Sequence, residues 1–404
     1  MGEMRWVWVV GVVVGVYVGM DPFNHSLIAG FENEMEVKEV KVGEWGKRVR
    51  ARDHANRLVK AELLHGVVGP ESLAFDVEGR GPYTGLADGR IVRLHPPPFT
   101  SFSDFAVTSP HWSKERCSGA KKEDEEVCGR PLGLRFHNRT GELYIADAYY
   151  GLLVVGPEGG LARQISTLPD DGIPLRFTND LDINPQTDIV YFTDSSSKFR
   201  RKNYMQVVVS TEDSGRLLKY DPTTKKTNVL LNHLHFPNGL SLSHDASFLV
   251  FAETTKAMLS RYWLEGEKAG SKEVFVRLPG LPDNVRANEK GELWVAIHRR
   301  CSLLIYFLAK HVRLRRLLLR FPVPPLFQRW FIYNNKFGGG GMAVKYSPHG
   351  ELKEVLEDGG GKRVASISEA HERDGKLWIG SVLSTHVAVY QLEDDRTSSI
   401  PTPM

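Results

Sequence analysis

Apolar and polar positions alternate in short runs along most of this chain, and before residue 300 no segment of any length carries a helical period. What recurs is a strand–turn–strand phrase. Its second strand reads Tyr83-Thr84-Gly85-Leu86-Ala87-Asp88, then Leu143-Tyr144-Ile145-Ala146-Asp147, then Val190-Tyr191-Phe192-Thr193-Asp194. It returns as Leu249-Val250-Phe251-Ala252-Glu253, Leu293-Trp294-Val295-Ala296 and Leu377-Trp378-Ile379-Gly380. A polar turn precedes each copy, such as Asn138-Arg139-Thr140-Gly141 or Arg373-Asp374-Gly375, and a short alternating strand precedes each turn. Copies about 45 to 85 residues apart, with several strands in each, predict a β-propeller. Six copies predict six blades in an all-β fold. A β-sandwich would not account for six copies of one phrase.

In a propeller the first strand of each blade runs beside the central channel, so its leading residues converge there. Aligning the strands on their apolar positions puts Glu71, Leu132, Asn179, Asn238, Asp283 and Ser368 at those six places. Five of the six side chains carry oxygen. Carboxylate and amide oxygens around one axis suit a hard cation such as Ca²⁺, which takes oxygen ligands. No Cys or His sits in the ring, so zinc is disfavoured. The candidate metal ligands are Glu71, Asn179, Asn238, Asp283 and Asn284. Glu71 and Asp283 are also candidate catalytic groups that would activate a water. The competing reading is that Asn and Asp form turns here by bonding their own backbone.

Composition adds compartment and scale. The chain has 404 residues, a net charge of +3 and three cysteines, so neither nucleic-acid binding nor a disulfide scaffold is indicated. Arg5 precedes an apolar run, Trp6 to Met20, that would span roughly 22 Å as a helix, short of the ~30 Å of a hydrocarbon core. That run reads as a signal-peptide core or as an uncleaved signal anchor, because the small residues of a cleavage site are poorly represented. Two sequons, at Asn24 and Asn138, fit the secretory route. Cys117 and Cys128 bracket a highly charged stretch and read as a disulfide-closed loop, with Cys301 left as a free thiol. The organisation expected is a signal or anchor at 1–20, a lead-in at 21–60, a propeller at 61–395 and a tail at 396–404.

Asp147-Ala148-Tyr149-Tyr150-Gly151-Leu152, Gly215-Arg216-Leu217-Leu218-Lys219-Tyr220-Asp221-Pro222 and Arg261-Tyr262-Trp263-Leu264-Glu265-Gly266 resemble plant strictosidine synthase and its relatives. The resemblance covers nearly all of the chain after about residue 20. It implies a six-bladed propeller of the endomembrane system, in the vacuole or the endoplasmic reticulum lumen, and a bridge between Cys117 and Cys128. Strictosidine synthase condenses tryptamine with the aldehyde secologanin, using a channel Glu, a His two residues before it and a channel Tyr. By position these fall on Ser368, Ser366 and Asn179. A hydroxyl cannot replace a carboxylate as a proton shuttle near neutral pH, so the condensing lyase activity is disfavoured. Glu369, the next residue, is expected on the other face of its strand.

The phrases Phe177-Thr178-Asn179-Asp180-Leu181, Phe236-Pro237-Asn238-Gly239 and Pro282-Asp283-Asn284 are similar to the branch that includes adipocyte plasma membrane-associated protein. More distantly they resemble paraoxonases, where an axial Ca²⁺ polarises a lactone or ester carbonyl. The five candidate ligands fall on that metal site. The place of the paraoxonase channel His is taken by Leu132. The resemblance therefore implies Ca²⁺-dependent hydrolysis of a small ester or lactone. The alternatives are the condensing reaction and a non-catalytic glycoprotein that binds a ligand or a membrane. His298 and His371 lie nearest the strands of blades five and six and read as structural or surface histidines.

The fifth blade is interrupted by an insertion, expected over 298–340. From His298 to Gly350 there is no Asp or Glu, whereas Arg299, Arg300, Lys310, Arg313, Arg315, Arg316, Arg320 and Arg329 are present. Leucines and aromatics between them predict one cationic amphipathic helix over about 302–320, ended by Pro322. Residues 299–330 read as a membrane-surface contact or a lid, against a plain packing helix with solvated arginines.

Overall fold

The computed structural model describes residues 15, 21, 26–28, 36–39, 52–95, 101–119, 121–322 and 340–392. Six antiparallel sheets follow one another along the chain and form a six-bladed β-propeller. The innermost strands are Leu73–Ala74, Pro131–Phe136, Thr178–Ile183, Pro237–Leu242, Gly280–Ala287 and Glu369–Arg373. Blades one to five each take their four antiparallel strands from consecutive stretches of sequence. Blade one adds a short parallel strand, Gly160–Leu161. In blade six the outer strand is Glu62–His65, which comes from before blade one and pairs with His386–Gln391. This pairing closes the ring with backbone hydrogen bonds and leaves no gap between the first and last blades.

Six apolar cores lie between the six pairs of neighbouring blades. Tyr83 and Ile91 of blade one meet Leu134 and Ile145 of blade two, and Leu217 of blade three meets Phe251 of blade four. Trp294 and Ala343 of blade five meet Leu377 and Ile379 of blade six. Each second strand of the recurring phrase supplies residues to the cores on both of its sides. That is why those strands read as continuous apolar runs rather than as strict alternation. The length of the chain is thus spent on repetition of one unit around an axis.

The basic insertion differs from expectation in two ways. Its entry strand, Leu293–Arg300, stays paired through Arg300, so His298, Arg299 and Arg300 belong to the blade. The expected single helix is two. Taking α1 as Tyr204–Ser210, the insertion contains α2, Leu303–Lys310, and α3, Val312–Arg320. Between them His311 leaves the helical region at φ −109° and ψ 75°. Its ring N–H donates to the Phe307 carbonyl at 2.6 Å. Ser302 caps α2 by accepting from the Ile305 N–H. Among the described residues no helix is long and apolar enough to cross a membrane. Asn24 and the apolar run 6–20, apart from Gly15, lie outside the described residues.

Cys117 and Cys128 are bridged, and Cys301 is a free thiol whose pKa burial pushes up to about 12. Asn138 is exposed in the turn between the first two strands of blade two.

Candidate functional site

The six axial positions are all buried: Glu71, Leu132, Asn179, Asn238, Asp283 and Ser368 are each less than one-tenth exposed. In four of the six blades the inner strand breaks register at this level. The pairing shifts between Pro131 and Gly133, between Thr178 and Leu181, between Pro237 and Leu240, and between Pro282 and Val285. A β-bulge of this kind turns two consecutive residues toward one side. Close approach of the bulged strands also requires glycine. A Cβ on Gly239 would lie 2.3 Å from Asn284 Cα, and one on Gly133 would lie 2.6 Å from Asp180 Cα.

Two of the axial amides are held by the same device. Asn179 Nδ2 donates to Ser195 Oγ at 2.9 Å, and that hydroxyl donates to the Pro237 carbonyl of the next blade at 2.7 Å. Asn238 Nδ2 donates to Thr254 Oγ1 at 3.2 Å, and that hydroxyl donates to the Pro282 carbonyl at 2.8 Å. Asn238 Nδ2 also donates to Asp283 Oδ1 at 2.7 Å. Fixing those two nitrogens frees their oxygens, whereas at Asn284 the buried Nδ2 is unpartnered along with the oxygen. Asn179 Oδ1, Asn238 Oδ1, Asn284 Oδ1 and Glu71 Oε2 are buried and have no hydrogen-bond partner among the described residues. Each such orphan costs about 1–3 kcal/mol unless something else satisfies it. Buried carboxylate and amide oxygens of this kind, with Asp283 beside Asn238, are of the type that suits a hard cation rather than zinc. Among the described residues no group of three or more His, Cys, Asp and Glu could hold a metal, because the ring has only two carboxylates and the rest are amides.

The electrostatics fit the same picture. Burial, and after it the nearby Asp283 carboxylate, push the Glu71 carboxyl up to about 8. Arg130 is fully buried close by and gives one N–H to the Gly69 carbonyl at 2.8 Å. Arg201 pairs with Glu125 at 2.5 Å, and the Tyr149 hydroxyl donates to the same carboxylate at 2.7 Å. Sequence reasoning did not find Arg130, Arg201 or the Ser195 and Thr254 tethers. The tethers carried a usable signal: each follows the acid that ends its blade's second strand, in Asp194-Ser195 and Glu253-Thr254.

The remaining predicted positions separate. Leu132 turns into an apolar cluster with Ala148, Phe177, Phe199, Val207 and Phe236, on which α1 sits. Ser368 is fully buried, and its hydroxyl accepts from the Val382 N–H at 3.2 Å. Ser366 adopts a left-handed backbone at φ 47° and gives its carbonyl to the Ser381 hydroxyl. Neither serine carries a proton-transfer group.

Glu369 corrects the sequence expectation. It does not turn away from the channel but reaches into it, where Oε2 lies 2.7 Å from Arg286 Nη2 and accepts from Ser72 Oγ at 3.2 Å. Arg286 also bonds both oxygens of Asp180. These four side chains come from blades one, three, five and six, so they meet across the axis, one residue beyond the oxygen ring. His298 lies against the ring, with Nδ1 3.4 Å from Asp283 Oδ2. His371 gives its Nδ1 proton to the Leu73 carbonyl at 2.9 Å, and burial followed by Arg135 and Arg286 pulls its pKa down to about 3. It stays neutral and engaged, as expected of a structural histidine.

Comparison with known proteins agrees with this architecture. The family described as Strictosidine synthase matches residues 179–267, and Strictosidine synthase-like, N-terminal, matches residues 55–94. Arabidopsis thaliana Protein Strictosidine synthase-like 3 is 48% identical over 390 residues, which is 94% of this chain and 97% of that protein. Mouse adipocyte plasma membrane-associated protein is 35% identical over 84% of this chain and 80% of its own. Among solved structures, a Xanthomonas campestris gluconolactonase superposes with a TM-score of 0.54 at 13% identity, covering 89% of this chain and 96% of that one. The calcium-binding protein regucalcin from Agrobacterium tumefaciens gives 0.52 at 14% identity, over 81% and 91%. At such identities the two structures speak to the fold alone. The sequence matches reach further, and by them the chain belongs to the strictosidine synthase-like family.

Proposed function

We propose that the chain is a Ca²⁺-dependent hydrolase of small esters or lactones. The observation that carries this reading is the set of four buried, unpartnered oxygens on Glu71, Asn179, Asn238 and Asn284, at or beside the inner strands. Glu71, Asn179, Asn238, Asp283 and Asn284 would hold the ion. Bound there, Ca²⁺ supplies Lewis-acid polarisation of a carbonyl oxygen and stabilises the negative charge that develops on it. The chain's own groups do the rest. Ser195 and Thr254 hold the Asn179 and Asn238 amides in place. Glu71 and Asp283 are the carboxylates within reach of a water at the ring. That the two superposable propellers are a gluconolactonase and the calcium-binding protein regucalcin supports the reading at the level of fold.

Ser368 and Ser366 argue against the condensing reaction. The secretory route, with a vacuolar or endoplasmic reticulum destination, is proposed from the N-terminal apolar run, the exposed sequon and the bridged cysteines. The test is to assay purified protein for bound calcium and then for turnover of aryl esters and lactones, with and without chelator. Chelator-sensitive turnover is expected. Absence of bound metal sinks the proposal. Metal without turnover makes the protein a binder, and product from tryptamine with secologanin makes it a condensing enzyme.

A further inference from the structure

We propose that the two insertion helices form a docking face for an anionic lipid surface. The face is apolar where it should not be. Of the fourteen large hydrophobic side chains exposed among the described residues, six lie here: Leu303, Leu304, Phe307, Leu317, Leu318 and Phe321. Such side chains scattered singly need no explanation, but six within nineteen residues form a patch. Charge gives the patch its partner. Arg313, Arg316 and Arg320 are exposed on α3 among these residues, and no acid occurs from His298 to Gly350. Apolar side chains interleaved with arginine on a short helix pair match a headgroup layer that is negative outside and hydrocarbon beneath.

The helices are firmly seated, so the exposed side is a face and not a loose arm. Tyr306 and Ala309 of α2 pack on Ala257. The Arg315 guanidinium is buried and donates to the Val209 carbonyl at 3.0 Å and to Thr211 Oγ1 at 2.8 Å, capping α1. Arg315 is thus absorbed in packing, while its exposed neighbours are not.

A second observation points to the same surface. The Ile28 N–H donates to the Leu319 carbonyl at the end of α3, at 3.0 Å. Farther on, the Lys38 N–H donates to the Ser210 carbonyl at the end of α1. The chain that follows the apolar run Trp6 to Met20 therefore passes beside α3. Residues that follow the apolar run in sequence are thus held against the same helices that carry the cationic, apolar face.

The test uses the full chain with Cys301→Ser and one new cysteine, Leu317→Cys, carrying an environment-sensitive fluorophore. Val274→Cys, on the half-exposed outer strand of blade four, is the control. With phosphatidylserine-containing vesicles the Leu317 probe is expected to shift to the blue and to be quenched by spin-labelled lipid. The Val274 probe is expected to do neither. Replacing Arg313, Arg316 and Arg320 together by Gln should move the ratio of docked to undocked probe toward undocked by on the order of a hundredfold, about fivefold per cation. Circular dichroism and the melting temperature of this variant should match the parent, since the three side chains are exposed. No shift at Leu317, an equal shift at Val274, or undiminished docking of the Gln variant overturns the proposal. A shift that grows with protein concentration in the absence of lipid overturns it too, because a second copy of the chain would then cover the face.

Discussion

Replacing Arg286 by Met tests whether the charge cluster across the channel holds the propeller together. The Arg286 guanidinium is buried. It reaches Asp180 Oδ2 at 2.5 Å, Asp180 Oδ1 at 3.0 Å, Glu369 Oε2 at 2.7 Å and the Val285 carbonyl at 2.9 Å. Methionine fills much of the same space but leaves two fully buried carboxylates without their cation. Removing one partner of a buried ion pair costs about 3–5 kcal/mol, mostly for the charge left behind. Urea unfolding followed by tryptophan fluorescence should therefore show a lower midpoint at unchanged slope. The loss should depend on pH. Burial, partly offset by Arg286, already holds the Glu369 carboxyl above the usual carboxylate range, and losing the guanidinium raises it further. A folded-state carboxyl pKa above the unfolded value means that the native state binds more protons. Its stability is then fully present below the unfolded pKa and falls as pH rises toward the folded pKa. The penalty of Arg286→Met should shrink as pH is lowered from about 8 to about 5. Adding Glu369→Gln should recover part of it, with a coupling of roughly 0.5–3 kcal/mol. A penalty below about 1 kcal/mol, or one that does not change with pH, would refute the structural role assigned to the cluster.

Three further outcomes follow from the same geometry. Asn238→Ala removes one orphan oxygen; calcium should stabilise the parent by about 2.7 kcal/mol at a hundredfold excess over Kd and stabilise the variant markedly less, read by thermal melts with and without chelator. Equal stabilisation of both would remove Asn238 from the ligand set. Gly239→Ala places a Cβ 2.3 Å from Asn284 Cα and should cost about 1–3 kcal/mol or more, measured by urea unfolding; an unchanged midpoint would mean the inner strands are not packed as described. Asn138 is exposed in its turn, so in a eukaryotic secretory host Asn138→Gln should run one glycan step faster than the parent, and endoglycosidase treatment should abolish the difference between the two.

The blades and the axial positions were legible because both depend on local pattern. Each phrase of apolar residues between polar turns had to bury itself against a copy of itself, and six copies leave a ring as the natural arrangement. The residues leading each inner strand could be placed for the same reason. What strict alternation could not supply was the second layer. It assigns Glu369 to the face opposite Ser368, yet Glu369 lies in the channel with Asp180, Ser72 and Arg286. The same rule would separate Asp283 from Asn284, and both contribute to the oxygen ring. At Thr178, Pro237 and Pro282 the reason is a bulge, a feature of pairing between strands that the residues of one strand do not encode. Arg286 was hidden for a related cause. Its charge is answered by residues 106 positions before it and 83 after it, and such a partnership exists only once the ring has closed. Glycine was the sequence trace of this layer. Gly133 and Gly239 directly follow ring positions and are small because Asp180 and Asn284 press against them. Read as packing demands and not as turn formers, those two glycines mark where the inner strands crowd together, one residue beyond the oxygen ring.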